Sequence, residues 1–225
     1  DSANLQLCQY ERVYGFVFLF KWKQQKPEAA VLSTWKPLIF IQQNVTNACA
    51  TISILHLAFN NPEIELSDKL KGFKDFITEL PSDMRGMALT NSEAIRKAHN
   101  SFISLGSISQ DQRDPSDKDG EAFHFVAVLP VPSSGVIVFD GMKEGPLLAL
   151  PGKGDLSEAI EYFKGEIERS NGELTFSILA MIPSNGDDDL DDGHEDKSIE
   201  GTRDEDLLLK EALELVKGIR IPPKK

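Results

Sequence analysis

The sequence predicts an α+β fold. Two apolar runs rich in β-branched and aromatic residues open the chain, and three segments with helical spacing follow them. A hairpin, a further helix and a last strand then end the predicted folded body near position 183. Strands placed before and after a block of helices are typical of α+β proteins rather than of alternating βαβ units.

The first half of the chain supplies two predicted strands and one helix. Residues 13–21 and 37–42 read as strands, separated by a polar stretch of Lys, Gln and Pro. Asn47 is predicted to cap a helix over residues 48–59, which the Asn60-Asn61-Pro62 turn ends.

Two more helices follow. Ser67 is a predicted cap for the first of them, whose apolar residues recur at intervals of three and four until Pro81. Asn91 or Ser92 is predicted to cap the other, which carries Ile95 and Ala98 on one face.

The second half begins with a polar connection. Residues 104–121 have almost nothing to bury, and a connection of this length in a folded domain is usually functional or disordered, so the segment is a candidate gate. Residues 122–129 and 136–140 are predicted strands of a hairpin. Ser157 is predicted to cap a helix, and residues 174–182 form the last predicted strand.

Length and charge divide the chain into three parts. The 225 residues carry a net charge of −12, but residues 187–206 alone account for −9. We therefore expect a catalytic or binding domain over residues 1–184, an acidic linker over 185–204 and a C-terminal extension over 205–225, in which residues 206–217 form an amphipathic helix.

The same composition excludes several classes of function. The nearly neutral body lacks the basic footprint of a nucleic-acid binder, and its apolar runs are shorter than the roughly 18 to 20 residues of a membrane span. The Asp187–Asp192 run lacks the glycine and glutamate of a calcium loop, so neither a metal nor a cofactor is expected. Two cysteines in 225 residues favour a reducing compartment, the cytoplasm or the nucleus.

Cys49 is the candidate nucleophile. It lies at the second or third position of the helix predicted after Asn47, where unpaired N–H groups and the helix dipole favour a thiolate. The alternative is a buried structural cysteine, because free cysteines are among the most buried residues. Cys8 lies in a polar segment and has no such surroundings.

Of four histidines, His124 is the best candidate for a base. His56 follows Cys49 by seven residues on one helix, about 10 Å away, His99 fits a structural role, and His194 lies in the acidic linker. The predicted hairpin places His124 across from residues 140–142, and this window includes Asp140. A carboxylate beside an imidazole fixes its tautomer, so a Cys-His-Asp arrangement is predicted.

Gln43 is a candidate oxyanion donor. It stands six residues before Cys49, at the end of the predicted strand that leads into the nucleophile's helix. A side-chain amide there, with a backbone N–H near Cys49, could stabilise a developing oxyanion. The alternative is an ordinary polar loop residue, like the adjacent Gln42.

Five segments in order resemble the ubiquitin C-terminal hydrolases, which are papain-like cysteine peptidases. They are Val-Tyr-Gly-Phe-Val-Phe-Leu-Phe-Lys-Trp (13–22), Gln-Asn-Val-Thr-Asn-Ala-Cys-Ala-Thr (43–51), Ala-His-Asn-Ser-Phe (98–102), Ala-Phe-His-Phe-Val (122–126) and Phe-Asp-Gly-Met-Lys-Glu-Gly-Pro (139–146). The resemblance implies a papain-like fold, with a largely antiparallel central sheet and helices on both faces. It also implies that the protein releases ubiquitin from adducts at the terminal glycine of ubiquitin.

The resemblance assigns the nucleophile to Cys49, the oxyanion donor to Gln43, the base to His124 and its orienting acid to Asp140. The motifs look most like the long branch of the family, whose C-terminal extension docks on the proteasome or on chromatin complexes. This chain departs from the family in having only twelve residues before Val13, so part of the N-terminal ubiquitin-binding face is expected to be missing.

Two other functions compete with this interpretation. The chain could bind ubiquitin without cleaving it, or it could be a papain-like hydrolase or acyltransferase for another ubiquitin-like modifier. The set of four candidate residues favours catalysis, and labelling by a ubiquitin-based probe that reacts with thiols separates catalysis from binding alone.

Overall fold

The fold was taken from a computed structural model that describes residues 12–21, 31–32, 34–45, 47–104, 123–169, 176–183 and 219–220. In chain order its elements are β1 (Gly15–Lys21), α1 (Cys49–Asn60), β2 (Glu65–Leu66), α2 (Asp68–Thr78), α3 (Ser82–Asn91), α4 (Glu93–Ser104), β3 (Phe123–Val131), β4 (Gly135–Phe139), β5 (Leu147–Pro151), α5 (Leu156–Arg169), β6 (Phe176–Met181) and β7 (Ile219–Arg220). The candidate gate after Ser104, the acidic linker and the amphipathic helix at 206–217 lie outside the described residues.

Five strands form one sheet in the order β5-β4-β3-β1-β6, and every neighbouring pair is antiparallel. The hairpin of β3 and β4 pairs Val131 with Gly135 and Ala127 with Phe139, so its turn lies where the sequence predicted it. The predicted α+β class with an antiparallel sheet is therefore confirmed. The two-residue strands β2 and β7 pair separately from this sheet.

Helices cover both faces of the sheet because apolar side chains occupy successive positions of the strands. Phe16 and Phe18 pack in one apolar cluster with Phe163 of α5. Val17, which lies between them, packs in another cluster with Leu57 of α1. Helices α1 and α5 thus lie on opposite faces, as predicted.

The predicted strand at residues 37–42 is wrong. Ile39, Phe40 and Ile41 are buried, but their backbone groups pair with side chains rather than with another strand. Asn60 bonds both the N–H and the C=O of Ile39, at 2.6 and 2.8 Å, and His56 Nε2 accepts the N–H of Ile41 at 2.9 Å. The apolar composition correctly indicated burial, and the side-chain hydrogen bonds to Ile39 and Ile41 come from helix α1.

Two of the four predicted helix caps are confirmed. Ser67 Oγ accepts from the N–H of Leu70, and Ser92 Oγ accepts from the N–H of Ile95. Helix α5 begins one residue before the predicted cap, and Asp155 Oδ1 rather than Ser157 accepts the N–H of Glu158, at 3.1 Å.

The fourth cap, predicted at Asn47, is wrong. Ala48 occupies the N-cap position of α1 without a side-chain cap bond, and Asn47 has a positive φ of 63°. The bend at Asn47 turns the chain into the helix, so that Cys49 is the first helical residue rather than the second or third.

Helix α3 and strand β5 were not predicted. The helix predicted to end before Pro81 does so, but Pro81 is also the N-cap of α3, and Asp83 lies in the first turn of that helix. The apolar run Leu147–Pro151 is too short for periodicity to assign, and its terminal proline is tolerated at the sheet edge.

Candidate active site

Cys49 begins helix α1, and its side chain is half-buried. The first turn of this helix contains no acidic residue, so no carboxylate competes with the thiol for the unpaired N–H groups at the helix end. This environment favours the negatively charged form of sulfur.

His124 and Asp140 form a buried pair at the end of the sheet. His124 is the second residue of β3, Asp140 directly follows β4, and His124 Nε2 lies 2.7 Å from Asp140 Oδ1. The same carboxylate oxygen accepts the N–H of Met142 at 2.9 Å, which fixes its direction. Because Asp140 occupies Nε2, Nδ1 is the imidazole nitrogen that remains for Cys49.

The pKa values of these three groups are shifted towards an ion pair. Burial raises the pKa of Cys49, but a hydrogen bond with His124 and the N–H groups of Phe125 and Ala50 outweigh it, so the pKa of the thiol is lowered. Burial lowers the pKa of His124, yet hydrogen bonds with Asp140 and Cys49 raise it to about 9. The pKa of Asp140 is lowered because its bonds to His124 and Met142 exceed the effect of burial.

Gln43 is joined to the residues that follow β4. Its backbone N–H donates to Gly141 O at 2.7 Å, and a Cβ at Gly141 would lie 3.0 Å from Gln43 Cβ, so the two chains are in close contact. The Gln43 side chain donates one Nε2 hydrogen to Val45 O at 2.9 Å, which leaves the second Nε2 hydrogen for another acceptor. Gln43 Oε1 is buried and has no partner among the described residues.

Helix α3 holds the segment that carries Gln43. Arg85 is a buried cation that donates to Phe40 O at 3.0 Å and to the last carbonyls of α2, and Gln42 N–H donates to Ser82 O. A Cβ at Gly86 would meet Gln42 O at only 2.0 Å, so any larger residue there would displace the segment.

Sequence reasoning missed both Arg85 and Gly86. The signal that could have revealed them is the helix start at Pro81-Ser82-Asp83, because it places an arginine one turn into a helix.

The other histidines make different contacts. His56 is fully buried and, as expected from spacing, bonds Ile41 rather than Cys49. His99 Nδ1 lies 2.9 Å from Thr51 Oγ1 and so joins α4 to the first turns of α1. Cys8 and His194 lie outside the described residues.

Within the described ranges, no group of three or more His, Cys, Asp and Glu side chains is arranged to hold a metal ion. None of the described helices is both long and apolar enough to span a bilayer.

A thiol at a helix N-terminus, an imidazole tied to a carboxylate and a nearby amide donor are the groups that acyl transfer through a thioester requires. An antiparallel sheet between helices that presents such groups is the architecture of the papain-like class.

A sequence model of the family described as "Ubiquitin carboxyl-terminal hydrolase, family 1" matches residues 1–168. The chain belongs to this family, and its fold is papain-like. The catalytic domain of Trichinella spiralis UCH37, solved bound to ubiquitin vinyl methyl ester, matches with a TM-score of 0.65 and 33% identity, covering 80% of this chain and 82% of that one.

Two curated relatives show the same relationship by sequence. Ubiquitin carboxyl-terminal hydrolase isozyme L5 of Dictyostelium discoideum is 35% identical over 191 residues, which cover 81% of this chain and 54% of the relative. Ubiquitin carboxyl-terminal hydrolase ubh-4 of Caenorhabditis elegans is 33% identical over 178 residues, which cover 76% and 54%. The chain thus spans about half the length of these relatives.

Proposed function

We propose that this chain is a thiol-dependent deubiquitinating hydrolase that cleaves adducts after the C-terminal glycine of ubiquitin. The observation that carries the proposal is the buried pair of His124 and Asp140, 2.7 Å apart, combined with a lowered pKa at Cys49 in a chain of this family. An ordinary thiol has a pKa of about 8.5 and is mostly protonated at neutral pH. The lowered pKa of Cys49 increases the fraction of thiolate, the form of sulfur that acts as a nucleophile.

In the proposed first step, the Cys49 thiolate attacks the carbonyl carbon of the terminal glycine. The free Nε2 hydrogen of Gln43 and a backbone N–H at the start of α1 stabilise the resulting oxyanion. The C–N bond then breaks, and the His124 imidazolium gives its proton to the leaving amine.

In the proposed second step, water hydrolyses the thioester. His124, now neutral, takes a proton from the water as its oxygen attacks the same carbon, and the C–S bond breaks to restore the Cys49 thiolate. Asp140 holds the imidazole through Nε2 in both steps and stabilises its charged form.

The test uses ubiquitin vinyl methyl ester and a ubiquitin–fluorophore adduct. We expect the probe to label the wild-type chain and Cys8→Ala equally, and to leave Cys49→Ala unlabelled. Labelling that survives in Cys49→Ala would contradict the assignment of Cys49 as the nucleophile. Binding of ubiquitin without labelling would indicate a binding module. If an adduct of another ubiquitin-like modifier is hydrolysed faster than the ubiquitin adduct, that modifier would replace ubiquitin as the proposed substrate.

We also propose that residues 205–225 dock the protein on a proteasome receptor or a chromatin-complex subunit, in the cytoplasm or nucleus. The resemblance of the motifs to the long branch of the family supports this proposal. Removal of residues 205–225 should abolish binding to a purified partner. The deletion also removes β7, but β7 pairs with β2 outside the five-stranded sheet, so hydrolysis of the fluorophore adduct should stay close to wild type. Unchanged binding after the deletion would argue against the extension as the docking element.

A further inference from the structure

His56 lies two turns after Cys49 on helix α1 and has no role in the proposed reaction. Its side chain is fully buried, and its Nε2 accepts the N–H of Ile41 at 2.9 Å. Burial lowers the pKa of His56 to about 3, so the ring is neutral near neutral pH. A neutral ring that accepts at Nε2 carries its proton on Nδ1.

The ring of His56 contacts two phenylalanines from different segments. Phe40 stacks on it with centroids 5.3 Å apart and an interplanar angle of 12°, and Phe139 contacts it at 5.1 Å and 34°. Phe40 belongs to the segment that leads to Gln43, and Phe139 directly precedes Asp140. One side chain on the helix of Cys49 therefore contacts both neighbouring segments of the candidate site.

The contact between α1 and the Gln43 segment extends one turn further along the helix. Asn60 Nδ2 donates to Ile39 O and to His56 O, both at 2.8 Å, and Asn60 Oδ1 accepts the N–H of Ile39. Helix α1 thus fixes the backbone of Ile39 and of Ile41 by side-chain hydrogen bonds.

Stability alone does not account for a histidine at this position. His56 Nδ1 is buried and has no hydrogen-bond partner among the described residues. A phenylalanine would keep the apolar ring contacts but leave the Ile41 N–H unpaired, so either residue leaves one buried donor unsatisfied. What the histidine adds is a fixed position for Ile41, two residues before Gln43.

We propose that His56 is a positioning residue, which sets the places of Gln43 and Asp140 relative to Cys49 through its bond to Ile41 and its contacts with Phe40 and Phe139. The proposal rests on the hydrolase function proposed above. A displacement of about 1 Å at a reacting group can cost about 100-fold in rate, so a small shift of Ile41 is enough to be measured.

The decisive variants change the acceptor and keep the volume similar. We expect His56→Phe to lower kcat for the ubiquitin–fluorophore adduct by about 100-fold with KM nearly unchanged. His56→Gln should recover most of kcat, because its Oε1 can accept the Ile41 N–H near the place of Nε2. The control is Phe163→Leu in the apolar cluster on the opposite face, which should lower the melting temperature and leave kcat unchanged.

Two outcomes overturn the proposal. A folded His56→Phe with wild-type kcat would make His56 a core residue only. If His56→Phe does not fold, His56→Gln and His56→Asn decide, because the shorter Asn does not reach the Ile41 N–H. We expect His56→Gln to exceed His56→Asn at least about tenfold in kcat, and equal values would contradict the proposal.

A second measurement separates this proposal from the proposed function. The rate of Cys49 alkylation by iodoacetamide as a function of pH needs no ubiquitin. We expect the apparent pKa of the thiol to rise in His56→Phe, because a displaced Asp140 orients His124 less well, and to return towards wild type in His56→Gln. If the wild type fails to hydrolyse ubiquitin adducts, the proposed function is wrong. If the alkylation profile of His56→Phe is unchanged, the positioning role proposed for His56 is wrong.

Discussion

His124 and His56 are both buried, yet their surroundings drive them to opposite charge states. Asp140 and Cys49 hold His124 between two acidic groups, and its pKa is raised to about 9. His56 contacts Phe40, Phe139 and one backbone N–H, and burial lowers its pKa to about 3. Burial lowers both values, so the hydrogen-bonding neighbours decide the difference.

The two sites also differ in what each histidine can do. In the proposed reaction the ring of His124 gives and takes a proton, and its carboxylate partner stabilises the charged form of the ring. The ring of His56 cannot exchange a proton without losing its bond to Ile41, so it can serve only as a fixed acceptor. The first is suited to chemistry and the second to geometry.

Removal of the Cys49 thiol is the strongest test of the difference between the two histidines. Cys49→Ala takes one acidic neighbour from His124 and leaves the His56 site intact. We expect turnover of the fluorophore adduct to fall by at least about 10,000-fold, with ubiquitin binding within a few fold, because the proposed nucleophile contributes to chemistry and little to recognition. Calorimetry of ubiquitin binding beside the kinetics checks this, and turnover in Cys49→Ala would refute it.

Asp140→Asn makes the surroundings of His124 more like those of His56, because it removes the charge. The amide can donate to Nε2 and favour the wrong tautomer, in which the ring proton lies on Nδ1. We therefore expect kcat to fall by up to about 10,000-fold, a larger factor than any rise in KM. A matched control is Asp155→Asn, the same change at the cap of α5, which should cost stability and leave kcat unchanged. An unchanged kcat in Asp140→Asn would exclude the orienting role.

Gln43→Ala tests the segment that His56 holds rather than the pair at His124. Loss of one oxyanion donor costs about 100- to 1000-fold in kcat elsewhere, and we expect a loss in that range here. Gln42→Ala is the control, because the neighbouring amide differs only in position and is expected to leave kcat close to wild type. Equal kinetics for the two variants would return Gln43 to the role of a loop residue.

Local patterns predicted those parts of the fold that depend on local contacts. Apolar residues at successive strand positions identified β1, β3, β4 and β6, and turn residues fixed the hairpin that brings His124 towards Asp140. The strand predicted at 37–42 failed because the partners of Ile39 and Ile41 are side chains of Asn60 and His56. Propensity cannot indicate which groups of a distant helix will supply those bonds.

The candidate site was predictable to a similar extent. Helix position suggested Cys49, and the hairpin suggested the proximity of His124 and Asp140. The meeting of α1 with β3 depends on packing across more than 70 residues of chain, which no local pattern shows. Residue chemistry predicted that Cys49 and His124 act together, and the family resemblance supported that prediction. The supporting residues Arg85, Gly86 and Asn60 were missed, since their importance lies in contacts with a segment far away in sequence.

The smallest expected effect concerns stability against pH, where the two histidines should act with opposite sign. His56 is neutral in the fold down to about pH 3, whereas a histidine in the unfolded chain binds a proton below about pH 6.5. The unfolded state then holds more protons, so stability falls as the pH is lowered from about 6.5. His124 keeps its proton in the fold up to about pH 9, so its contribution is present below about pH 6.5 and is lost as the pH rises.

Urea unfolding of three variants between pH 4 and 9 measures both effects. On the acid side, we expect wild type to lose up to about 1.4 kcal/mol per pH unit more than His56→Gln, while His99 and the carboxylates titrate in both proteins and cancel. On the alkaline side the Cys49 thiol opposes His124, because its lowered pKa adds stability as the pH rises, so the measurement uses Cys49→Ala. There Asp140 still holds the imidazolium, but the contribution of Cys49 to the raised pKa of His124 is lost. Stability should therefore decline from about pH 6.5 upwards and level off below the wild-type limit of about pH 9, whereas Cys49→Ala combined with Asp140→Asn should show a flatter curve. Parallel acid limbs in wild type and His56→Gln would mean that His56 is protonated in the fold, and the contrast between the two histidines would then be wrong.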